Sequence, residues 1–295
     1  MRTVLQTVVF GLIAGGIYGL LALGVVLVFR GSKVLNLAHG EIGTFALYIA
    51  CWLIVDHHVP YAVGFFVALL VAVALGVGFE RGIVQFMRDS DPLSVCVATI
   101  GLLTLLISSE FFMFGAGPRN LPPALKGSGL TVADVVISQN RLLGLAVCAA
   151  VAFGLAAVLK RTDFGLGVLA AAQDARATRL VGIPLARTSM FVWGASAGLA
   201  ALAALLIEPD IGAFAPGFMS RLFVFALAAA LVGGLTSLPG AFIGGLVVGL
   251  LEAVVKQLTL TVSAVPGLPT LAIFGLILLT LLVRPQGLLG SRAAA

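Results

Sequence analysis

Asn36, His39 and Glu41 stand close together in KVLNLAHGEIG, residues 33–43, at the start of an apolar run. Ionisable groups in such a setting are costly unless they pair or face water. Two readings follow. In one, the three side chains line a pathway or a gate. In the other they form an interfacial first turn, in which Asn36 caps the helix and Glu41 meets the positive end of its dipole. The spacing from Asn36 to His39 places both on one helical face, with Glu41 pointing elsewhere, while Gly40 and Gly43 interrupt the helix. Glu110 and Glu252 also fall within apolar segments. A lone carboxylate at the centre of a bilayer costs roughly 3 kcal/mol on insertion scales, so each needs a partner or an interface. Glu110 is a further pathway candidate, or else a group that reaches the outer surface. Glu80 and Arg81 are adjacent and read as a structural ion pair near one end of their segment. Asp56, His57 and His58 resemble a metal cluster only by proximity, because successive residues on an exposed turn rarely chelate one ion. No metal site is expected.

The motifs of enzymes are missing. The chain has no GxxxxGK[ST] phosphate loop, no HExxH, no GxSxG elbow and no paired-cysteine metal site. A catalytic enzyme is therefore not expected, and no cofactor of its own. Energy for any uphill movement would come from a partner or a coupled ion. Cys51, Cys96 and Cys148 lie in apolar segments, where a thiol behaves as a small hydrophobe.

The elements that must position these residues are set by composition. Hydrophobic residues make up 61% and charged residues 10% of the 295 residues, and the mean hydropathy is +1.18. That leaves too little polar surface to cover a soluble globule. A spanning helix needs about 20 mainly apolar residues. Apolar runs at 4–29, 38–55, 60–86, 94–114, 140–159, 188–207, 221–236, 239–257 and 267–283 meet or approach that length. The alternation of a strand barrel is not seen. The expected fold is all-α: a single polytopic integral membrane domain over residues 1–295, with about 8–10 membrane segments including re-entrant or half helices. The run from Val4 to Phe29 is too long for a signal-peptide core of about 7–15 residues and reads as a retained helix. The Pro- and Gly-rich stretch 115–139 reads as a surface loop, and EPDIGAFAPGFMS, residues 208–220, as a break holding a short interfacial helix.

Basic residues sit singly at the ends of apolar runs, which suits membrane topology rather than nucleic acid. If residues 160–187 face the cytoplasm, that side carries Arg30, Lys33, Arg88, Lys160, Arg161, Arg176, Arg179, Arg187, Arg284 and Arg292. The other side keeps Arg2, Arg119, Lys126, Arg141, Arg221 and Lys256. This bias agrees with nine crossings, the N-terminus outside and the C-terminus inside. Glycines crowd GLIAGGIYGLLALG, residues 11–24, and GGLTSLPGAFIGGLVVG, residues 233–249. Small residues let helix backbones approach closely where lipid offers no hydrophobic reward, so both stretches mark crowded interfaces.

AAAQDARATRLVGIPLAR, residues 170–187, is out of character with the apolar segments on either side. Its alanines, with Gln173, Arg176 and Arg179, are strong helix formers. Gly182 supplies a left-handed stop and Pro184 prevents continuation, while Gly165 and Gly167 loosen the chain upstream. The product is a rigid charged helix ending in Leu180 and Val181. It serves either as a handle for another protein or as an amphipathic helix on anionic lipid.

Taken in order, LNLAHGEIG, QDARATRLVGIPLAR and LVGGLTSLPGAFIGGLVVGLLEA resemble the permeases of branched-chain amino acid ABC transporters, the LivH type in particular. The likeness runs from Gly11 to about Gly287. It implies the ABC importer permease fold in the bacterial inner membrane. It also implies a second permease subunit of the LivM type, two ABC ATPase subunits of the LivG and LivF type, and a periplasmic substrate-binding protein. ATP would be bound by the partner subunits. The stretch at about 168–184 would be the coupling helix that docks on an ATPase, with Gln173, Asp174, Arg176 and Arg179 towards the partner and Gly182 setting the exit turn. The chain departs from the broader importer pattern in having alanine where many permeases place a glutamate before the paired alanines. Branched-chain amino acids are the substrate the resemblance implies, with urea, amides or aromatic acids as alternatives within the same type. The alternative from another class is a secondary transporter or channel without an ATPase.

Overall fold

The computed structural model describes residues 2–290 apart from 88–89, 126, 128, 133–134, 174–177, 179, 181, 183 and 262–266. Ten α-helices dominate the described residues: α1 (Arg2–Ser32), α2 (His39–Cys51), α3 (Tyr61–Gly82), α4 (Pro92–Phe114), α5 (Gln139–Arg161), α6 (Asp163–Gln173), α7 (Leu185–Ile211), α8 (Phe218–Gly233), α9 (Leu238–Thr261) and α10 (Leu268–Val283). A π-helical turn, Trp52–Asp56, extends α2, and a 3-10 turn, Val84–Met87, follows α3. Within the loop at 115–139, β1 (Leu130–Val132) and β2 (Val135–Ile137) pair as a short antiparallel hairpin.

Every apolar run named above is helical. Among the described residues, six helices are long and apolar enough to cross a membrane. The remaining three of the nine expected crossings are shorter: α8 and α10 have 16 residues each and α2 has 13. The short interfacial helix expected at 208–220 is not formed. Instead α7 continues through Pro209 to Ile211 and stops at Gly212, whose φ of +83° is the left-handed conformation that favours glycine. Start signals are local too. Pro92 opens α4, and the Asp91 carboxylate accepts the Leu93 N–H at 3.2 Å.

The chain packs into two compact units, and α1, α5 and α8 contribute residues to both. The first comprises Met1–Leu23, Pro123–Ala152 and Leu222–Ala295. Here the two glycine-rich stretches meet: a Cβ on Gly15 of α1 would lie 2.8 Å from Leu246 Cα and 2.9 Å from Gly245 O of α9. Gly245 and Gly249 present the reciprocal face to Gly19 and Gly15. Beside this seam Tyr18, 3% exposed, donates a 2.6 Å hydrogen bond to the Glu252 carboxylate. That bond supplies the partner that a carboxylate within an apolar helix requires. After α10 the chain returns to close the end of α8, where Leu288 N donates to Val232 O and Leu289 N to Gly233 O.

The second unit comprises Gly24–Pro122 and Phe153–Arg221. Its centre is α2, α3 and α7. Gly43 of α2 lies so close to α7 that a Cβ there would sit 2.6 Å from Ala200 O, and Gly76 of α3 approaches Trp193 O in the same way. Gly40 and Gly43 therefore do not interrupt α2, which runs straight through both. Gly43 is there because a neighbouring backbone occupies the space a side chain would need. Gly165 corrects the sequence reading similarly. Both Gly165 and Gly167 lie inside α6, and Gly165 fits against the backbone of Val158 and Leu159 rather than loosening the chain.

Overpacked helix contacts typically cost about 1–3 kcal/mol. Gly15→Val is expected to lower the thermal midpoint and the monodisperse yield of the detergent-solubilised protein. Gly101→Val, at a site where a Cβ meets nothing within 4 Å, leaves both close to wild type in the same assay.

Candidate functional site

The segment between α1 and α2 turns back on itself. The Asn36 carboxamide accepts the Ala38 N–H at 3.1 Å, and Asn36 O accepts the His39 N–H at 3.3 Å. An asparagine side chain readily takes a backbone N–H two residues on, building a turn instead of a helix. Asn36 therefore precedes the helix. The residue at the cap of α2 is Ala38, with no side-chain cap bond, and Asn36 does not share a helical face with His39. The Leu37 N–H is taken by Thr99 Oγ1 of α4 at 3.1 Å, which ties this turn to its neighbour.

His39, fully buried, reaches from α2 to α7, where its Nδ1 lies 3.0 Å from Ser196 Oγ. Ser196 donates its own hydrogen to Gly24 O at 3.1 Å. A hydroxyl has one proton, so whenever Ser196 bonds Gly24 O the imidazole Nδ1 is the donor to Ser196. Gly24 lies flat against the ring, and a Cβ there would collide with His39 Cε1. A fully enclosed imidazole pins α1, α2 and α7 together; it does not line an open pathway in this conformation.

Glu41 lies in the first turn of α2, yet its carboxylate reaches further than its own dipole. Glu41 Oε1 accepts from Ser220 Oγ at 2.5 Å. Thr44 Oγ1, one turn along α2, accepts the Met219 N–H at 3.1 Å. Glu110 Oε2 of α4 accepts the Gly217 N–H at 3.2 Å. Three side chains from two helices thus converge on residues 217–220, at the start of α8. Orphan N–H groups at a helix start attract negative charge, so two sequence-named acids, Glu41 and Glu110, meet at one place. Both are fully buried, as is Tyr48, another turn further along the same stripe of α2.

Sequence reasoning passed over Glu208. It is fully buried, and its Oε1 accepts the Leu121 N–H at 3.0 Å. Near it two irregular connections pair: Arg119 and Phe214 exchange backbone bonds of 2.9 and 2.8 Å, and the Asn120 carboxamide donates to Gly212 O. Asp56 accepts from Arg119 at 2.7 Å, and this bond raises the guanidinium's pKa. Asp56 is thus engaged with a cation from the next loop. The signal for Glu208 was the acid just before Pro209; its meaning depended on a partner 87 residues away.

At the opposite end of this unit the end of α1 and the starts of α4 and α7 surround a cavity of about 200 Å³. Ser32, Ser90, Thr188 and Ser189 supply hydroxyls to its wall, and Ala171 of α6 borders it. Arg30, Lys33 and Arg187, assigned to one face of the membrane from the sequence, lie on the segments that meet here. Of the residues assigned to docking, Gln173 is exposed at the end of α6, and Gly182 has φ +82°. Asp174, Arg176 and Arg179 lie outside the described residues, as do Arg88, Lys126 and Arg292. Leu180 is 90% exposed.

The chain matches the family described as "Branched-chain amino acid transport system / permease component" over residues 7–283. It is 31% identical to the high-affinity branched-chain amino acid transport system permease protein BraD of Pseudomonas aeruginosa, covering 97% of this chain and 95% of that protein. It is 29% identical to the corresponding protein LivH of Salmonella typhimurium, with the same coverage of each. The autoinducer 2 import system permease protein LsrC of Enterobacter sp. strain 638 is 28% identical over 90% of this chain and 74% of that protein. The chain belongs to the family of permease components of branched-chain amino acid transport systems. It is a multi-pass membrane protein and a non-catalytic transporter subunit.

Glu208 yields a direct test. Glu208→Ala leaves the buried Leu121 N–H without its acceptor, which costs about 1–3 kcal/mol, and a lower thermal midpoint is expected. Glu208→Gln retains an acceptor oxygen and is expected to recover most of the loss. Equal midpoints for all three proteins would remove Glu208 as the tie between the two connections.

Proposed function

We propose that this chain is the membrane subunit of an ATP-driven importer for branched-chain amino acids in a bacterial inner membrane. Its partners in this reading are a second, LivM-like permease, two ATPase subunits of the LivG and LivF kind, and a periplasmic protein that delivers substrate. It needs no cofactor of its own. The observation that carries the reading is the family match across almost the whole chain, reinforced by full-length similarity to BraD and LivH.

Force from ATP-driven closure reaches a membrane bundle only through a stiff element, because a floppy loop absorbs the motion. In this reading the stretch from α6 to Gly182 serves as that element. Gln173 ends α6 exposed, Leu180 projects almost bare, and Gly182 adopts φ +82° ahead of Pro184 and α7. Gln173, Asp174, Arg176 and Arg179 face the ATPase in this assignment, with Leu180 as an apolar knob beside them. Gly182 sets the exit turn, a role that a Cβ would strain. Asn36, His39, Glu41 and Glu110 remain the pathway or gate candidates of this reading, and in the conformation described they tie neighbouring helices together. Substrate choice rests chiefly with the delivering protein.

Replacing Asp174 and Arg176 together with glycine is expected to abolish substrate-stimulated uptake by the reconstituted complex, while the chain remains in the membrane. Uptake at the wild-type rate overturns the coupling assignment. Purification of the tagged chain from its native host tests the reading as a whole. ATPase subunits are expected to accompany it, and uptake of leucine with no ATPase present would favour a secondary transporter instead.

A further inference from the structure

The acids at the start of α8 carry a consequence beyond transport class. Glu41 and Glu110 both bond the turn 217–220, and both are fully buried. Each keeps one oxygen, Glu41 Oε2 and Glu110 Oε1, buried and without a hydrogen-bond partner. The Tyr48 hydroxyl on the same stripe of α2 is buried and unpartnered as well. Two ionised carboxylates held together in a low-dielectric interior repel each other strongly, and such pairs relieve the repulsion by keeping a proton. One helix start supplies only about half a positive charge, enough for one anion and not for two.

Among the described residues, no cation forms an ion pair with either carboxylate. Arg119 is bonded to Asp56. Arg221, next along α8, is exposed, and among the described residues it pairs with neither carboxylate. The other titratable groups on the packed elements have their own contacts: His39 with Ser196, Cys51 with Asn120 O, and Glu208 with Leu121 N–H. Glu80 and Arg81 lie near the far end of α3.

We propose that Glu41 and Glu110 form a one-proton site inside the membrane, with Glu41 ionised and Glu110 holding the proton on Oε1. The two acids are placed in the way this assignment requires. Glu41 stands in the first turn of α2, whose positive end favours an anion, whereas Glu110 stands near the C-terminal end of α4, whose negative end favours the neutral acid. The anion sits on the hydroxyl and helix start, and the neutral acid occupies the second place. Removing the proton would put two negative charges on one turn and push α4 away from α8. The site therefore links proton occupancy to the junction of α2, α4 and α8, whichever substrate the transporter carries.

The full chain in lipid nanodiscs tests this by infrared spectroscopy. Wild-type protein is expected to show a protonated-carboxyl carbonyl band at neutral pH that shifts in D2O and loses one carboxyl's intensity in Glu110→Gln. Glu110→Gln, which mimics the neutral acid, is expected to keep the wild-type thermal midpoint and to flatten its decline at alkaline pH. Glu41→Gln removes the anion and is expected to lower the midpoint. Undiminished intensity in Glu110→Gln, or a Glu110→Gln protein less stable than Glu41→Gln, overturns the assignment. Should Glu110→Gln not fold, that failure itself counts against a neutral Glu110.

Discussion

A helix that begins among membrane segments presents backbone N–H groups where no water can answer them, and the second unit is arranged around that demand. Orphan groups in hydrocarbon cost several kcal/mol each, so irregular backbone survives at such depth only when protein satisfies it. At the start of α8 Thr44 and Glu110 take the Met219 and Gly217 N–H groups, and Glu41 takes the Ser220 hydroxyl beside them. Asn36 performs the same service ahead of α2, using its own side chain, and Thr99 completes it. Half helices supported in this manner are a recurring way for transporters to combine a pathway with a packed bundle.

The first unit solves a different problem. Its helices gain nothing from leaving lipid for one another, so close contact must supply the attraction. Glycines on α1 and α9 let backbone meet backbone along several turns, and the Tyr18–Glu252 bond adds a polar tie at the edge of the seam. A seam of this sort is rigid, because a side chain anywhere along it would displace a neighbouring main chain. The second unit uses the same device at Gly43, Gly76 and Gly165 among others, each meeting a neighbouring backbone.

These two kinds of contact complement each other in a transporter subunit. Rigid seams carry displacement, whereas hydrogen-bonded junctions between short helices, Arg119 to Phe214 and Glu208 to Leu121 among them, divide it into discrete changes of partner. A permease component that changes conformation draws on both, exchanging one set of contacts for another.

Composition and apolar run length by themselves determined that the chain is helical and membrane-embedded, and they located nine of the ten α-helices of the described residues, α6 excepted, because a membrane segment needs a long apolar run. The order of three short motifs indicated the family, and the costly acids Glu41 and Glu110 were visible as charges in the wrong solvent. Local patterns misled where the cause was remote. Gly40 and Gly43 read as breaks until α7 was seen to fill the space beside Gly43, Asn36 read as a cap, and Glu208 did not stand out at all. Only the tertiary structure decided which groups meet, because the hydrogen bonds that make these acids tolerable join residues from 87 to 179 positions apart, and no periodicity along a chain records a partner that far away.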